Sequence, residues 1–552
     1  NVAGRVRIDN ANSLYTQKLY ASSNTTITDG GKNGHYTEQR EYDTQTYADV
    51  MVNINKTFGD DWSLQANVGA SINNVKTDLL SYRGPIQENG LPNVFNVFDL
   101  DDSKKRAEKS GWQEQTQSIF ASVEVGWKQM LYLTVTGRND WASQLAESPE
   151  SSFFYPSVGL SWVPTSLWDM GEAVTYLKLR GSIASVGMPF PRHLTIPTYE
   201  YDATNKVWTA KTHYPIGDLY PERTRTYELG LDARLWRHIS LSASWYWADT
   251  YNQTFDPQIS VSSGYSTIYL QTGHVRNTGV ELSAGYDNTW RDFRWATNFT
   301  FSWNKNEIVE LVHNYTHPET GELITKERLE IKGLGKAKYI LKPGGTLGDL
   351  YTNSDLVYNK EGFIEVDKSG NVAVKDDYME DIYLGSVFPK YNLAWRNDFS
   401  WKGVNLGVLF TARIGGICYS ATQANMDLYG VSEASAAARD AGGVLINGRQ
   451  TIDAQKWYQA IGSQSGLPQY YTYSATNFRL QELSLGYTLP AKWFRDRMRM
   501  TVSFVGRNLW MIYCKAPFDP EAVASTGLNY QGIDYFMMPS LRSLGFNVKF
   551  QF

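Results

Sequence analysis

Leu131-Tyr132-Leu133-Thr134-Val135-Thr136-Gly137-Arg138 is the stretch that decides the fold. Leu131, Leu133 and Val135 are apolar, and Thr134, Thr136 and Arg138 stand between them. In an extended chain successive side chains point to opposite faces, so a period of two makes a ribbon with one apolar and one polar side. The same register returns in Ile239, Leu241, Ala243, Trp245 and Trp247 against Ser240, Ser242 and Ser244. It returns again in Phe293, Trp295, Phe299, Phe301 and Trp303 against Asn298, Thr300 and Ser302. About sixteen such segments of roughly ten residues can be counted, the length and alternation of strands that cross an outer membrane between lipid and a polar lumen.

The connections sort by length. Short ones are Gly59-Asp60-Asp61, Lys128-Gln129, Trp236-Arg237-His238, Asn288 to Asp292, Lys402-Gly403 and, somewhat longer, Pro164 to Ala173 and Pro490 to Arg497. Long ones run over 77–111, 188–221, 307–387, 418–475 and 513–537, with lesser members at 142–152 and 254–264. Short and long alternate strictly, as periplasmic turns and extracellular loops do in outer-membrane barrels. Trp127, Trp162, Trp236, Trp401 and Trp493 lie beside the short connections, where an interfacial belt belongs. The last segment sets Leu544, Phe546, Val548 and Phe550 against Gly545, Asn547, Lys549 and Gln551 and stops on Phe552. An apolar strand closing on an aromatic resembles the signal that barrel-assembly machinery reads, carried here by Phe546, Phe550 and Phe552. With Phe552 on the periplasmic side, parity makes every short turn periplasmic and the first strand outward-running. The expected architecture is all-β, a transmembrane antiparallel β-barrel.

Composition agrees and excludes other classes. The chain holds 18 Trp, 36 Tyr and 23 Phe, spread along its length as girdles and aromatic loops require. Mean hydropathy is −0.41, and no apolar run approaches the roughly 18 residues of a membrane helix. A net charge of −5 gives no basic face for nucleic acid, and Lys104-Lys105-Arg106 and Arg495-Asp496-Arg497 are short, solvated clusters. No HExxH, GxSxG or P-loop occurs and the seven His are scattered singly, so no catalysis and no cofactor are expected. No apolar signal segment follows Asn1-Val2-Ala3-Gly4, so an exported chain with this start has been processed or cut.

Ligand candidates fall in two long loops: Trp457, Tyr458, Tyr470, Tyr471 and Tyr473 in 418–475, and Tyr351, Tyr358, Tyr378 and Tyr383 in 307–387. Flat rings with a polar handle stack on sugars or peptide side chains while tolerating water; they also pack loops against one another. Asp367 to Asn371 has oxygen-bearing residues at alternate positions, but Asp367 is its one acidic member and Val372 stands where a calcium loop needs Gly, so Asp367 and Asn371 are a weak metal pair. Ile364-Glu365-Val366 and Val372-Ala373-Val374 read as a hairpin turning at Gly370, and Asp453 to Ile461 and Ser432 to Asp440 as short surface helices. Cys418 and Cys514 lie near one rim with a strand between them, so their backbones stand about 10 Å apart. A disulfide needs the loop bases to lean together; otherwise both are free thiols.

Several fragments in order resemble the SusC/RagA class of TonB-dependent outer-membrane transporters. They are Leu131 to Trp141 with its Arg138-Asn139-Asp140-Trp141 ending, Phe154 to Trp162, Leu177-Lys-Leu-Arg-Gly-Ser182 with Val186-Gly187, and Pro221-Glu-Arg-Thr with Tyr227-Glu-Leu-Gly-Leu231. Asn277-Thr-Gly-Val-Glu281, Phe478 to Pro490, Gly506-Arg-Asn-Leu-Trp510 and Phe518-Asp-Pro-Glu521 follow. The resemblance implies a barrel of 22 strands holding an N-terminal plug, a SusD-like surface lipoprotein as lid, and uptake of oligosaccharides or oligopeptides powered by TonB through the plug. On that reading residues 1–552 are the C-terminal part of a barrel in a Gram-negative outer membrane, with plug and about six early strands absent. The family's acidic loop before Tyr383-Leu384-Gly385 is reduced here to Asp367-Lys-Ser-Gly-Asn371. Rival readings are a passive 16-stranded porin, an outer-membrane assembly subunit and a glycan-binding surface protein.

Overall fold

A computed structural model describes residues 1–23, 31–195, 199–202, 206–210, 213–214, 219–255, 267–268, 270–316, 323–376, 380–463, 465–525 and 530–551. Sixteen strands form one antiparallel sheet in chain order. They are β1 (Val2–Leu19), β2 (His35–Phe58), β3 (Trp62–Pro85), β4 (Arg106–Trp127), β5 (Leu131–Ala142), β6 (Ser152–Trp162), β7 (Val174–Met188) and β8 (Glu222–Leu235). Then come β9 (Ile239–Phe255), β10 (Leu270–Trp290), β11 (Phe293–Glu310), β12 (Tyr391–Trp401), β13 (Val404–Ile414), β14 (Asn477–Leu489), β15 (Arg499–Cys514) and β16 (Ser543–Gln551). The period-two segments are these strands, and the fold is an all-β barrel type. No helix among the described residues is long and apolar enough to cross a membrane.

Two compact units divide the chain: Asn1–Leu160, Ile183–Arg225 and Asn252–Gln271 make one, and Ser161–Ser182, Thr226–Tyr251 and Thr272–Phe552 the other. In the first, β2 and β3 pair from Phe58 opposite Trp62 to His35 opposite Pro85, each strand 24 residues long. One face of this ribbon is apolar near the turn, with Ile54, Val52, Val50 and Ala48 opposite Ala66, Val68, Ala70 and Ile72. Farther on, the same face carries Thr46 and Thr44 opposite Asn74 and Lys76. From Trp62 to Ile72 a rise of about 3.3 Å per residue, tilted by about 40°, spans roughly the 25 Å of a lipid-facing band. The strands therefore outrun the ten residues expected of them. A ladder in water persists wherever neighbouring backbones pair, whatever its faces carry. The connection expected over 77–111 shrinks accordingly to 86–105.

In the second unit the apolar face of β9 runs from Ile239 to Trp247 and then meets Asp249, which accepts hydrogen bonds from the Trp247 indole at 2.7 Å and Arg276 Nε at 2.8 Å, with His274 Nε2 2.7 Å away. On β11 the change falls after Trp303, where Lys305 pairs with Glu307 at 2.6 Å. A switch from rings to charges marks the far edge of the lipid band.

At the short-turn end, Lys128-Gln129 and Trp236-Arg237 turn with both residues at positive φ, the backbone a two-strand hairpin demands. Rings gather there: Trp62 lies 6.4 Å from Trp127, Trp290 stacks on Phe293 at 6.1 Å, and Lys128 and Lys402 sit over Trp127 and Trp401. On β16 both faces are exposed, Phe546 and Phe550 included, and Phe552 lies outside the described residues.

The connections 311–390, 415–476 and 515–542 of the second unit fold into a core of their own. A four-stranded sheet takes Leu329–Lys332, Lys338–Leu341, Asp349–Thr352 and Ile382–Ser386; a three-stranded one takes Ile417–Ser420, Thr472–Ser474 and Ile533–Asp534. Three helices join them, α1 (Ala421–Leu428), α2 (Glu433–Asp440) and α3 (Ala454–Ile461). Tyr339, Leu350, Leu356, Tyr419, Ile461, Leu467, Tyr471 and Ile533 are buried together, each large side chain worth about 1.5–3 kcal/mol of burial. The expected helices α2 and α3 are capped by Ser432 and Asp453, and the hairpin turns at Gly370 with Val366 bridged to Val372.

Candidate ligand-facing site

Alternation leaves a polar face opposite the lipid band. In the first unit the pairing registers place Arg5, Asp49, Ser71, Ser118 and Asp140 in one row across β1 to β5. Arg5 Nε lies 3.0 Å from Asp49 Oδ2, Arg138 donates to Ser118 and to Asp140 at 2.7 Å each, and the Tyr155 hydroxyl donates to Asp140. Arg138 and Asp140 belong to one quoted fragment and Tyr155 to the next, so the two fragments meet side by side. In the second unit Arg180 pairs with Glu228, and Glu482 is held by Arg507 at 3.0 Å and by Arg396 at 3.4 Å. The Arg180–Glu228 and Arg507–Glu482 pairs likewise join neighbouring family-like segments.

On the same polar face of the second unit, a groove of about 410 Å³ is lined by Ser242, Ser244, Ser283, Thr300 and Ser302 with Arg180 and Glu281. Hydroxyls beside one cation and one anion offer hydrogen-bond donors and acceptors to a polar solute.

Trp457 and Tyr470 meet edge to face at 6.0 Å, and Tyr358 interacts with Tyr470. Tyr351 and Tyr383 meet at 5.1 Å with the Lys342 ammonium 4.7 Å above the Tyr351 ring. Tyr358 and Tyr383 are 46% and 55% exposed, so each group keeps one ring in contact with solvent. Tyr471 is only 2% exposed; it is part of the loop core and its hydroxyl donates to Asp427 at 3.0 Å. Tyr458 packs on that core, and Tyr473 stands edge-on to Phe518 at 5.6 Å. Burial, with Asp427 nearby, pushes the Tyr473 phenol up to about 12. Tyr378 lies outside the described residues.

The Asp367 carboxylate is spent on its own turn, accepting from the Ser369 and Asn371 amides and the Asn371 side chain at 2.8 Å each. Those bonds hold it below the usual carboxylate range, and Lys456 donates to the Ser369 carbonyl of the same turn. Cys418 and Cys514 are free thiols; the first is buried, which pushes it up to about 12.

Three features escaped the sequence. Asp427 is 5% exposed on α1, a helix whose Ser420-Ala-Thr-Gln423 start has capping-box spacing that could have found it. Arg479 is a buried hub joined to Asp519 and Glu521. Asp534 accepts from the Ser420 hydroxyl at 2.6 Å, tying the last long connection to α1.

The family described as TonB dependent receptor-like, beta-barrel, matches residues 4–509. TonB-dependent receptor P3 of Formosa agariphila is 24% identical over 573 residues, covering 95% of this chain and 54% of its own. TonB-dependent receptor P39 of the same organism is also 24% identical, covering 97% and 56%. The RagAB peptide transporter structure superposes with a TM-score of 0.72 at 17% identity, over 100% of this chain and 59% of that one. A RagAB importer in its open-open state gives 0.70 at 18%, over 100% and 58%. The chain spans about half the length of the curated relatives it matches.

Proposed function

Because the chain belongs to the TonB-dependent receptor-like β-barrel family, we propose that it supplies wall and cargo-facing loops to an importer of oligosaccharides or oligopeptides in a Gram-negative outer membrane. The observation that carries this reading is the polar face: charged and hydroxyl side chains paired laterally into a hydrophilic wall opposite a lipid-facing band. A wall whose charges are already paired lets a polar solute pass without trapping it.

On this reading the connections 307–387 and 418–475 face the outside, where Tyr358, Tyr383, Tyr470 and Trp457 contact cargo or a SusD-like lipoprotein lid. TonB acts through a plug that belongs with the remaining half of the relatives' length. Phe546, Phe550 and Phe552 serve barrel assembly, and the protein itself performs no catalysis.

The gene product as the cell makes it, expressed in an outer membrane, is assayed for uptake of fluorescent oligopeptides and oligosaccharides with and without a protonophore. Uptake that collapses with the proton gradient is expected. Uptake indifferent to the gradient makes the protein a porin, and surface binding without uptake makes it a glycan-binding or assembly protein.

A further inference from the structure

The helices α1, α2 and α3 enclose a cavity of about 170 Å³. Asp427, Tyr429, Ser435, Arg439, Gln455 and Tyr458 are among its lining, with the Asp427 carboxylate buried at 5% exposed and Tyr429 open at 75%. A folded chain buries a carboxylate only with compensation. Asp427 has two hydrogen-bond donors, the Tyr471 hydroxyl on Oδ2 at 3.0 Å and the Gln423 amide on Oδ1 at 3.0 Å. Both are neutral. Among the described residues no cation pairs with Asp427, although it sits beside a cavity. Arg439, in the same lining, is exposed and donates Nη1 to the Gly430 carbonyl at 2.8 Å.

A carboxylate offers about four lone-pair positions, and two of these are filled. A further neutral hydroxyl would add a hydrogen bond and leave the charge standing, whereas a cation adds the bond and cancels the charge. The cavity is smaller than the roughly 300 Å³ at which whole-ligand pockets begin, and holds several times the roughly 30 Å³ share of one water. It suits one side-chain head.

We propose that this cavity is a subsite for the ammonium or guanidinium head of a peptide side chain, with Asp427 as its counter-ion. Its role in cargo recognition rests on the loop-facing reading above; its chemistry does not.

The test is saturation-transfer NMR on the full protein in detergent, titrated at neutral pH with Nα-acetyl-lysine methylamide and with the same compound acetylated on Nε. The charged probe is expected to bind at least tenfold more tightly, and Asp427→Asn to abolish that ratio. Since Asp427→Asn disturbs a buried network, Gln455→Lys is the second variant. It places a tethered ammonium on an exposed helix position at the cavity, and is expected to weaken the charged probe at least tenfold with unchanged melting. Equal binding of the two probes, no binding of either, or full binding to Gln455→Lys overturns the subsite, as does displacement of the probe by neutral maltotriose. Probe binding that persists while energised uptake is absent removes the transport reading and leaves the subsite standing.

Discussion

Arg479 on β14 grips Asp519 with two parallel bonds, Nη1 to Oδ2 at 3.1 Å and Nη2 to Oδ1 at 2.9 Å. The same guanidinium donates Nε to Asn477 at 3.1 Å and lies 3.1 Å from Glu521, while the Ser540 hydroxyl donates to Asp519 at 2.5 Å. With the Arg479 side chain 5% exposed, this clamp fastens the connection 515–542 to the sheet. Arg479→Ala leaves two carboxylates with no cation between them and is expected to cost about 3–5 kcal/mol. Arg479→Lys keeps the charge without the fork and should cost about 1–2 kcal/mol. Thermal unfolding in detergent, with protease cleavage mapped to 515–542, reads both. An Arg479→Ala protein that melts with the parent would show the clamp to be slack.

The same clamp gives a pH dependence. Burial works to raise Asp519, but Arg479 first, then Ser540 and the Glu521 amide, outweigh it and hold the carboxyl below its usual 3.8. A depressed folded value means the stabilisation is fully present above the unfolded value near 4 and fades as pH falls through the folded value. Proteolysis of 515–542 by an acid-active protease should therefore rise below about pH 4, and Asp519→Asn should flatten that rise. A rise of the same size in Asp519→Asn would assign it to other carboxylates.

Much of this was legible because a period of two is a strong signal where one face meets lipid. The turns at Gly59-Asp60-Asp61, Trp236-Arg237-His238 and Lys402-Gly403 fall where the alternation breaks, and the strands resume on the next residue. What could not be read is the outer half of β2 and β3, since Thr37 to Thr46 is polar on both faces and looks like loop. Helices α2 and α3 announce themselves through caps at Ser432 and Asp453; α1 is a weakly amphipathic Ala-Thr-Gln-Ala-Asn-Met-Asp-Leu run whose helix is fixed by the Ser420 cap and by packing. Residue type marked the aromatic candidates, but burial separated them. Tyr470 and Tyr471 are neighbours, 36% and 2% exposed, and a loop without periodicity carries no sign of which turns inward.

The lipid-facing band predicts where a charge is tolerated. Leu133 and Val68 lie on the apolar face within the band, while Gln113 lies on the same face of β4 opposite Lys76, beyond its edge. Val68→Arg, at the middle of the band, is expected to cost about 2–4 kcal/mol of folding free energy in lipid vesicles, and Gln113→Arg about 0–1 kcal/mol. Equal costs at the two positions would misplace the band.

The two thiols should differ in reactivity. Cys418 is 0% exposed and its thiolate is suppressed by burial, whereas Cys514 ends β15 half-buried with its Sγ 3.7 Å from the Phe518 carbonyl. Maleimide added to native protein should label Cys514 first and reach Cys418 only after unfolding. A single labelled peptide containing Cys418 in native protein reverses the assignment.

Tyr471 and Tyr470 offer the sharpest separation of folding from recognition. Tyr471→Phe removes one of two donors to a buried carboxylate and should destabilise the loop core by about 1.5–3 kcal/mol, although the ring still fills its place. Tyr471→Ala adds a cavity and should cost about 3–5 kcal/mol. Tyr470, edge-on to Trp457 and partly open, loses a ring pair worth about 0.5–1.5 kcal/mol on change to Ala, which leaves the core closed. If the open rings meet cargo, Tyr470→Ala should weaken uptake at nearly unchanged melting temperature, whereas Tyr471→Phe should shift melting first and uptake only as folded protein is lost. Uptake that follows melting temperature in both variants would return Tyr470 to the role of loop packing.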